Sequence, residues 1–258
     1  MPKQASTVSS GRALIVIYGE SPMAEQLAEI CAAKNYDVLI NTMGGGKPNL
    51  DSEQIRISAS IPSNASVGIE LTNTDHAAKR ANLEKLDKAL PATAPILSSS
   101  ITVAATEQTT WISGKHRLVG FCALPTLLDK PLVEVAPTIF SPRETVEVVQ
   151  RFFQSLGKEI ELVQDRVGMV MPRIICQLIN EAAFALQEEI ASPQDIDTAM
   201  KLGVHYPLGP IEWAEKIGVR QVYAVLAALE NDLKEDRYRV APLLRQMAIA
   251  GEWWQKKS

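Results

Sequence analysis

The run Ala13-Leu14-Ile15-Val16-Ile17-Tyr18 constrains this chain more than any other feature. A strand with no polar alternation has to be covered on both faces, which is the situation of a central strand in a parallel sheet. Gly19 to Pro22 read as a turn, and Met23 to Ala33 carry apolar residues at helical spacing (Met23, Leu27, Ile30, Cys31). Asp37 to Ile40 read as a second strand. Strand, turn, helix and strand in that order open a doubly wound α/β domain of the Rossmann type.

The alternation continues. Asn41 to Ser63 is rich in Gly, Ser and Asn, with one alternating run (Ile55, Ile57, Ala59, Ile61) that suits an edge strand. Val67 to Leu71 is a strand and His76 to Leu90 an amphipathic helix. Further strands are expected at Ile96-Leu97, Leu118 to Ala123, Leu132 to Val135 and Ile160 to Val163, with a helix from Arg143 to Leu156. Beyond Val167-Gly168 the pattern changes. Pro172 to Ile190 is a helix apolar nearly all round, and such a helix must be buried between neighbours or partners. More helices follow at Asp195 to Leu202, Ile211 to Ile217, Arg220 to Leu233 and Pro242 to Ala250. The expected division is a tail at 1–12, a Rossmann-type mostly parallel domain at 13–166 and a small all-helical domain at 167–258.

Composition narrows the function classes. Lys and Arg total 26 against 30 Asp and Glu, a net charge of −4, which leaves no electrostatic footprint for nucleic acid. No apolar run approaches the ~20 residues that span a bilayer. Cys31, Cys122 and Cys176 are odd in number, widely spaced and set in apolar surroundings, so they read as reduced thiols of a cytoplasmic protein with no zinc spacing. The polar stretch Met1 to Arg12 lacks a secretory apolar core and reads as a disordered tail.

One stretch is specific. Ser192 can cap a helix whose first residue is Pro193, with Asp195 on the positive end of the dipole. Gly203 offers a left-handed stop, Tyr206-Pro207 an extended dipeptide, and Gly209-Pro210 a turn into the next helix. Ser192 to Gly203, continued through Tyr206-Pro207-Leu208-Gly209-Pro210-Ile211-Glu212, closely resembles the C-terminal domain of the 3-hydroxyacyl-CoA dehydrogenases. That resemblance implies NAD-dependent oxidation of a 3-hydroxyacyl thioester and a homodimer made through the helical domain.

A dinucleotide turn asks for Gly-x-Gly-x-x-Gly: one glycine for the tight turn, one for approach of the pyrophosphate, one for helix packing. Here Gly19, Ser21 and Ala24 stand in those places, and Glu20 adds negative charge to a site meant for an anion. The acid expected at the end of the second strand to hold ribose hydroxyls is replaced by Asn41-Thr42. By resemblance, Glu70 matches the glutamate near the nicotinamide ribose.

The resemblance also places the catalytic groups. Family members carry a histidine base within Gly-Leu-His-Phe-Phe-Asn-Pro and, twelve positions on, a glutamate that orients it; the pair gives a base poised near neutral pH. Here Gly120 and Leu132-Val133-Glu134-Val135 match, but the base position holds Cys122, and a thiol is a poor base at neutral pH. The asparagine that anchors the substrate carbonyl is replaced by Pro172. The family's Asn-Thr-Ser-Ser loop corresponds to Ser98-Ser99-Ser100-Ile101-Thr102, so Thr102 or Ser100 supplies its hydroxyl. The family's helical hairpin between the second and third strands, which holds coenzyme A with basic residues, is replaced by Asn41 to Ser63, with Lys47 and Arg56 as its only cations. Lys79, Arg80, Lys115 and Arg117 read as solvated surface. The expected function is therefore hydride transfer between NAD(H) and a 3-hydroxyacyl or 3-oxoacyl thioester, impaired by these losses. The alternative is a catalytically inactive dimeric member acting as a binding or scaffold protein. An acyl-CoA-type small molecule is the expected ligand, with no nucleic acid and no membrane.

Overall fold

The computed structural model describes residues 11–43 and 52–251. Most of the expected tail, and Lys47 in the shortened loop, lie outside the described residues. Among the described residues eight strands form one sheet in the order β3-β2-β1-β4-β5-β6-β7-β8. They are β1 (Leu14–Glu20), β2 (Asp37–Met43), β3 (Ile55–Ile57), β4 (Ala65–Leu71), β5 (Ile96–Ser99), β6 (Leu118–Phe121), β7 (Leu132–Pro137) and β8 (Glu159–Leu162). All neighbours pair in parallel except β6 and β7. The strand order reverses between β1 and β4, which puts the ends of β1, β4, β5 and β6 around one crevice.

The continuous apolar run of β1 has the predicted cause. Ile15 and Ile17 enter one core with α1 (Met23–Ala33) and α4 (Arg143–Ser155), through Met23, Leu27, Cys31, Phe152 and Phe153. Leu14, Val16 and Tyr18 enter the opposite core with α2 (His76–Ala89), through Leu83 and Leu86. Each such buried side chain contributes about 1.5–3 kcal/mol of transfer free energy. At Gly19 a Cβ would sit 2.5 Å from that of Leu71, so the close approach of β1 to β4 requires glycine there. A short helix, α3 (Ala105–Gln108), follows β5 and was not visible in the apolar spacing; Asp165 caps it by accepting the N–H groups of Ala105 at 2.7 Å and Thr106 at 2.6 Å.

The remaining helices are α5 (Met171–Gln187), α6 (Pro193–Gly203), α7 (Pro210–Ile217), α8 (Val219–Leu233) and α9 (Pro242–Ala250). Cys176, Ile179 and Ala183 of α5 and Val222, Leu226 and Leu229 of α8 share a core with Ile101, Cys122 and Leu124, which follow the carboxyl ends of β5 and β6. Thus the helices sit over the crevice rather than beside it. Ser192 accepts the N–H of Asp195 at 3.1 Å, the expected cap of α6. Gly203 does not make a left-handed stop: it stays helical, and His205 takes the positive φ of 60° instead. Asp197 reaches from α6 to accept the N–H groups of Ile211 at 2.8 Å and Glu212 at 3.1 Å, capping α7, and a side chain on Gly209 would collide with that carboxylate. The expected helix Pro172 to Ile190 ends at Gln187, and Ile174 and Ile190 are exposed at 54% and 70%. Among the described residues no helix is long and apolar enough to cross a membrane, and no His, Cys, Asp and Glu group could hold a metal.

Candidate active site

The β1–α1 turn brings Gly19, Ser21 and Ala24 together as expected, but with side chains in the way. Glu20 ends β1, and its Oε1 accepts the N–H groups of Asn73 at 3.1 Å and Thr74 at 2.7 Å. The Ser21 hydroxyl donates to Glu25 in the first turn of α1, while Glu25 Oε2 is buried without a hydrogen-bond partner among the described residues. Pro22 stands at the helix N-cap, with no N–H to offer. A pyrophosphate arriving here would meet two carboxylates, and it would find the Asn73 and Thr74 amides already bonded. Asn41 donates to Ser58 O at 3.4 Å, so the ribose position is tied to the loop after β3.

Glu70 does not face the crevice chemistry. It is fully buried beneath α2, where Lys79 donates to it, Thr72 N–H donates at 2.9 Å and the Ser98 hydroxyl at 3.3 Å. Lys79 also donates to Thr72 O at 2.9 Å. Lys79 is therefore an internal residue and not solvated surface: its charge is matched by Glu70, as a buried charge must be. Arg117 corrects the same expectation, buried against Asp87 at 2.8 Å and donating to Pro91 O at 2.8 Å. Arg80 and Lys115 are exposed, as read.

The structure does gather the catalytic positions. Cys122 follows β6 and is buried, and its N–H donates to Glu134 O at 2.9 Å. Burial, the Glu134 carboxylate and Cys176 together push its thiol well above the ordinary cysteine range, the reverse of what a base or nucleophile needs. Glu134, buried on β7, spends both oxygens on the start of α5: Oε2 accepts Val170 N–H at 2.9 Å and Oε1 accepts Met171 N–H at 2.8 Å. Pro172 is buried in the next position and offers no polar group. The Ser100 hydroxyl lies 3.7 Å from Met169 Sδ, whereas Thr102 Oγ1 is buried with no partner among the described residues. Thr102 thus stands as the free hydroxyl of the two. It lines a cavity of about 620 Å³ with Asn73, Thr74, His76, Arg220 and Tyr223, between the segments that follow β4 and β5 and helix α8.

Sequence reading missed Asn73 and Gln221. The Asn73 side chain donates to Ala123 O at 2.9 Å and Gln221 Oε1 at 3.0 Å, and accepts from the Ser99 hydroxyl at 2.6 Å. Gln221 donates to Glu20 Oε2 at 2.6 Å. The one sequence signal was the acid at Glu20 inside an anion-binding turn; its partners lie too far along the chain for periodicity to find them.

Known proteins resemble this chain in sequence and fold. Residues 168–258 match the family described as 3-hydroxyacyl-CoA dehydrogenase, C-terminal domain. A probable 3-hydroxybutyryl-CoA dehydrogenase of Bacillus subtilis is 31% identical over 194 residues, 75% of this chain and 67% of that protein. A 3-hydroxyadipyl-CoA dehydrogenase of Escherichia coli is 39% identical over 118 residues, 46% of this chain but only 25% of that longer protein. The crystal structure of a (S)-3-hydroxybutyryl-CoA dehydrogenase from Ralstonia eutropha superposes with a TM-score of 0.79 at 26% identity, covering 95% of this chain and 96% of that one.

Proposed function

The chain belongs to the 3-hydroxyacyl-CoA dehydrogenase family of oxidoreductases, and from that premise we propose that its own hydride transfer between NAD(H) and a 3-hydroxyacyl or 3-oxoacyl thioester is impaired. One observation carries the reading: Cys122, at the family's base position, is a buried thiol pushed to a higher pKa, while Glu134 is committed to two backbone amides. A group that must exchange a proton near neutral pH is missing, and the acid that would orient it holds a helix instead. The family is NAD-dependent, but Glu20, Ser21 and Glu25 do not fit a dinucleotide's pyrophosphate, and Asn41 is engaged elsewhere. The test is reduction of a short 3-oxoacyl-CoA by NADH. A rate at least ~10²-fold below a competent relative is expected, the usual worth of a positioned acid or base. A comparable rate would overturn the reading.

A second reading, a catalytically inactive dimeric member that binds or scaffolds, has its own support. Ile174, Ile175 and Leu178 of α5 line an apolar cavity of about 230 Å³ with Met200, Tyr206 and Trp213, a face that a second copy of this chain would cover. Division into a Rossmann-type domain ending near residue 166 and a helical dimerisation domain accords with this. The three cysteines are free and buried, which supports a reducing, cytoplasmic setting. Titration with an acyl-CoA separates the readings: binding without turnover favours the second.

A further inference from the structure

Four hydrogen-bond donors converge on one carboxylate at the end of β1. Glu20 Oε1 accepts the N–H of Asn73 at 3.1 Å, the N–H of Thr74 at 2.7 Å and the Thr74 hydroxyl at 2.7 Å. Its Oε2 accepts the Gln221 amide at 2.6 Å. Among the described residues neither lysine nor arginine pairs with it. A carboxylate held by successive backbone N–H groups, a hydroxyl and an amide is solvated as a bound anion is solvated in a phosphate or carboxylate site. Here the anion belongs to the chain. Gln221 sits on α8, and it also accepts from Asn73, so the same cluster ties the helical part to the loop after β4.

We infer that Glu20 is a tethered anion: its carboxylate fills the anion position of the crevice, clasps α8 to the sheet, and turns away ligands that would place a phosphate or carboxylate there. Because it is covalently held, it binds without the translational and rotational loss that a free competitor bears. A ligand of the adjoining cavity, with Thr74 and Thr102 on its wall, therefore carries no anionic group at this point. This deepens the reading that a dinucleotide's pyrophosphate does not fit the β1–α1 turn and rests on it, but its own readout is anion binding rather than turnover.

Thermal denaturation and titration calorimetry of Glu20→Ala, Glu20→Gln and the parent protein test the inference, with sodium acetate and inorganic pyrophosphate as probes and sodium chloride at equal ionic strength as control. Glu20→Ala should melt about 5 °C lower. Acetate or pyrophosphate should restore much of that loss, with millimolar affinity. The parent should respond to neither beyond chloride, and Glu20→Gln, which keeps an acceptor in place, should show little rescue. A folded Glu20→Ala protein that neither anion stabilises overturns the inference, as does a parent that binds pyrophosphate equally well. Should Glu20→Ala not fold, Gln221→Glu sets a second carboxylate against the first: a fall of about 5 °C supports the clasp, and an unchanged melting temperature refutes it.

Discussion

The carboxylate of Glu134 accepts the backbone N–H of Met171 at 2.8 Å, joining β7 to the first turn of α5. With the second bond to Val170, it satisfies two helix-terminal donors that would otherwise be stranded, and it sits on the positive end of the helix dipole. Glu134→Ala should therefore cost about 2–4 kcal/mol in urea denaturation, the sum of a lost cap and unsatisfied amides. Glu134→Gln, which keeps one acceptor, should cost less than half of that. An alanine variant within 0.5 kcal/mol of the parent (roughly the spread of neutral surface changes) would show that α5 does not depend on this cap.

Restoring the missing groups gives a second expectation. Cys122→His with Pro172→Asn returns the base and the carbonyl anchor to the family's pattern, yet Glu20 and Ser21 still crowd the turn. The double variant should gain less than about tenfold in 3-oxoacyl-CoA reduction by NADH, well short of the ~10² that a working base supplies. Adding Glu20→Ala and Ser21→Gly should be needed for more. A full recovery from the double variant alone would place the whole defect at Cys122 and Pro172.

What the chain disclosed in its letters follows from where the information sits. β1 was legible because a strand covered on both faces spells an unbroken apolar run, and α6 because Ser192, Pro193 and Asp195 lie within one turn of each other. The catalytic positions 122, 134 and 172 were legible only through resemblance. What those side chains now hold was not, since Glu134 meets residues 36 and 37 positions away and Glu20 meets Gln221 across 201. Lys79 was misread as surface for the same reason. Its signal was indirect: Glu70 lies inside the apolar strand β4, and an acid there demands a buried partner.

Asp87 makes a pH prediction. Burial alone would raise its carboxyl, but hydrogen bonds from Arg117 and from the N–H groups of Ser113 and Gly114 outweigh it and leave the pKa lowered. A carboxyl whose folded pKa is depressed adds stability above its unfolded pKa, near 3.9, and loses it as pH falls through the folded value. Asp87→Asn should therefore destabilise the protein by about 1–3 kcal/mol at neutral pH and by progressively less below pH 4, in urea melts run across that range. An equal cost at pH 7 and pH 2.5 would mean that shape rather than charge holds this corner.

The apolar flank of α5 yields the last expectation. Its inner residues Cys176, Ile179 and Ala183 face the core, but Ile174 is 54% exposed and opens onto the cavity with Leu178 and Trp213. Water-facing isoleucine beside an apolar hollow is unfavourable at about 25 cal/mol per Å² left uncovered, so a second copy should cover it. Ile174→Glu places a charge in that covered face, where desolvation opposes it, without touching the inward side of the helix. Light scattering should report a dimer for the parent at micromolar concentration and a folded monomer for Ile174→Glu. A parent that is monomeric at that concentration, or a variant that remains a dimer, would remove α5 from the interface.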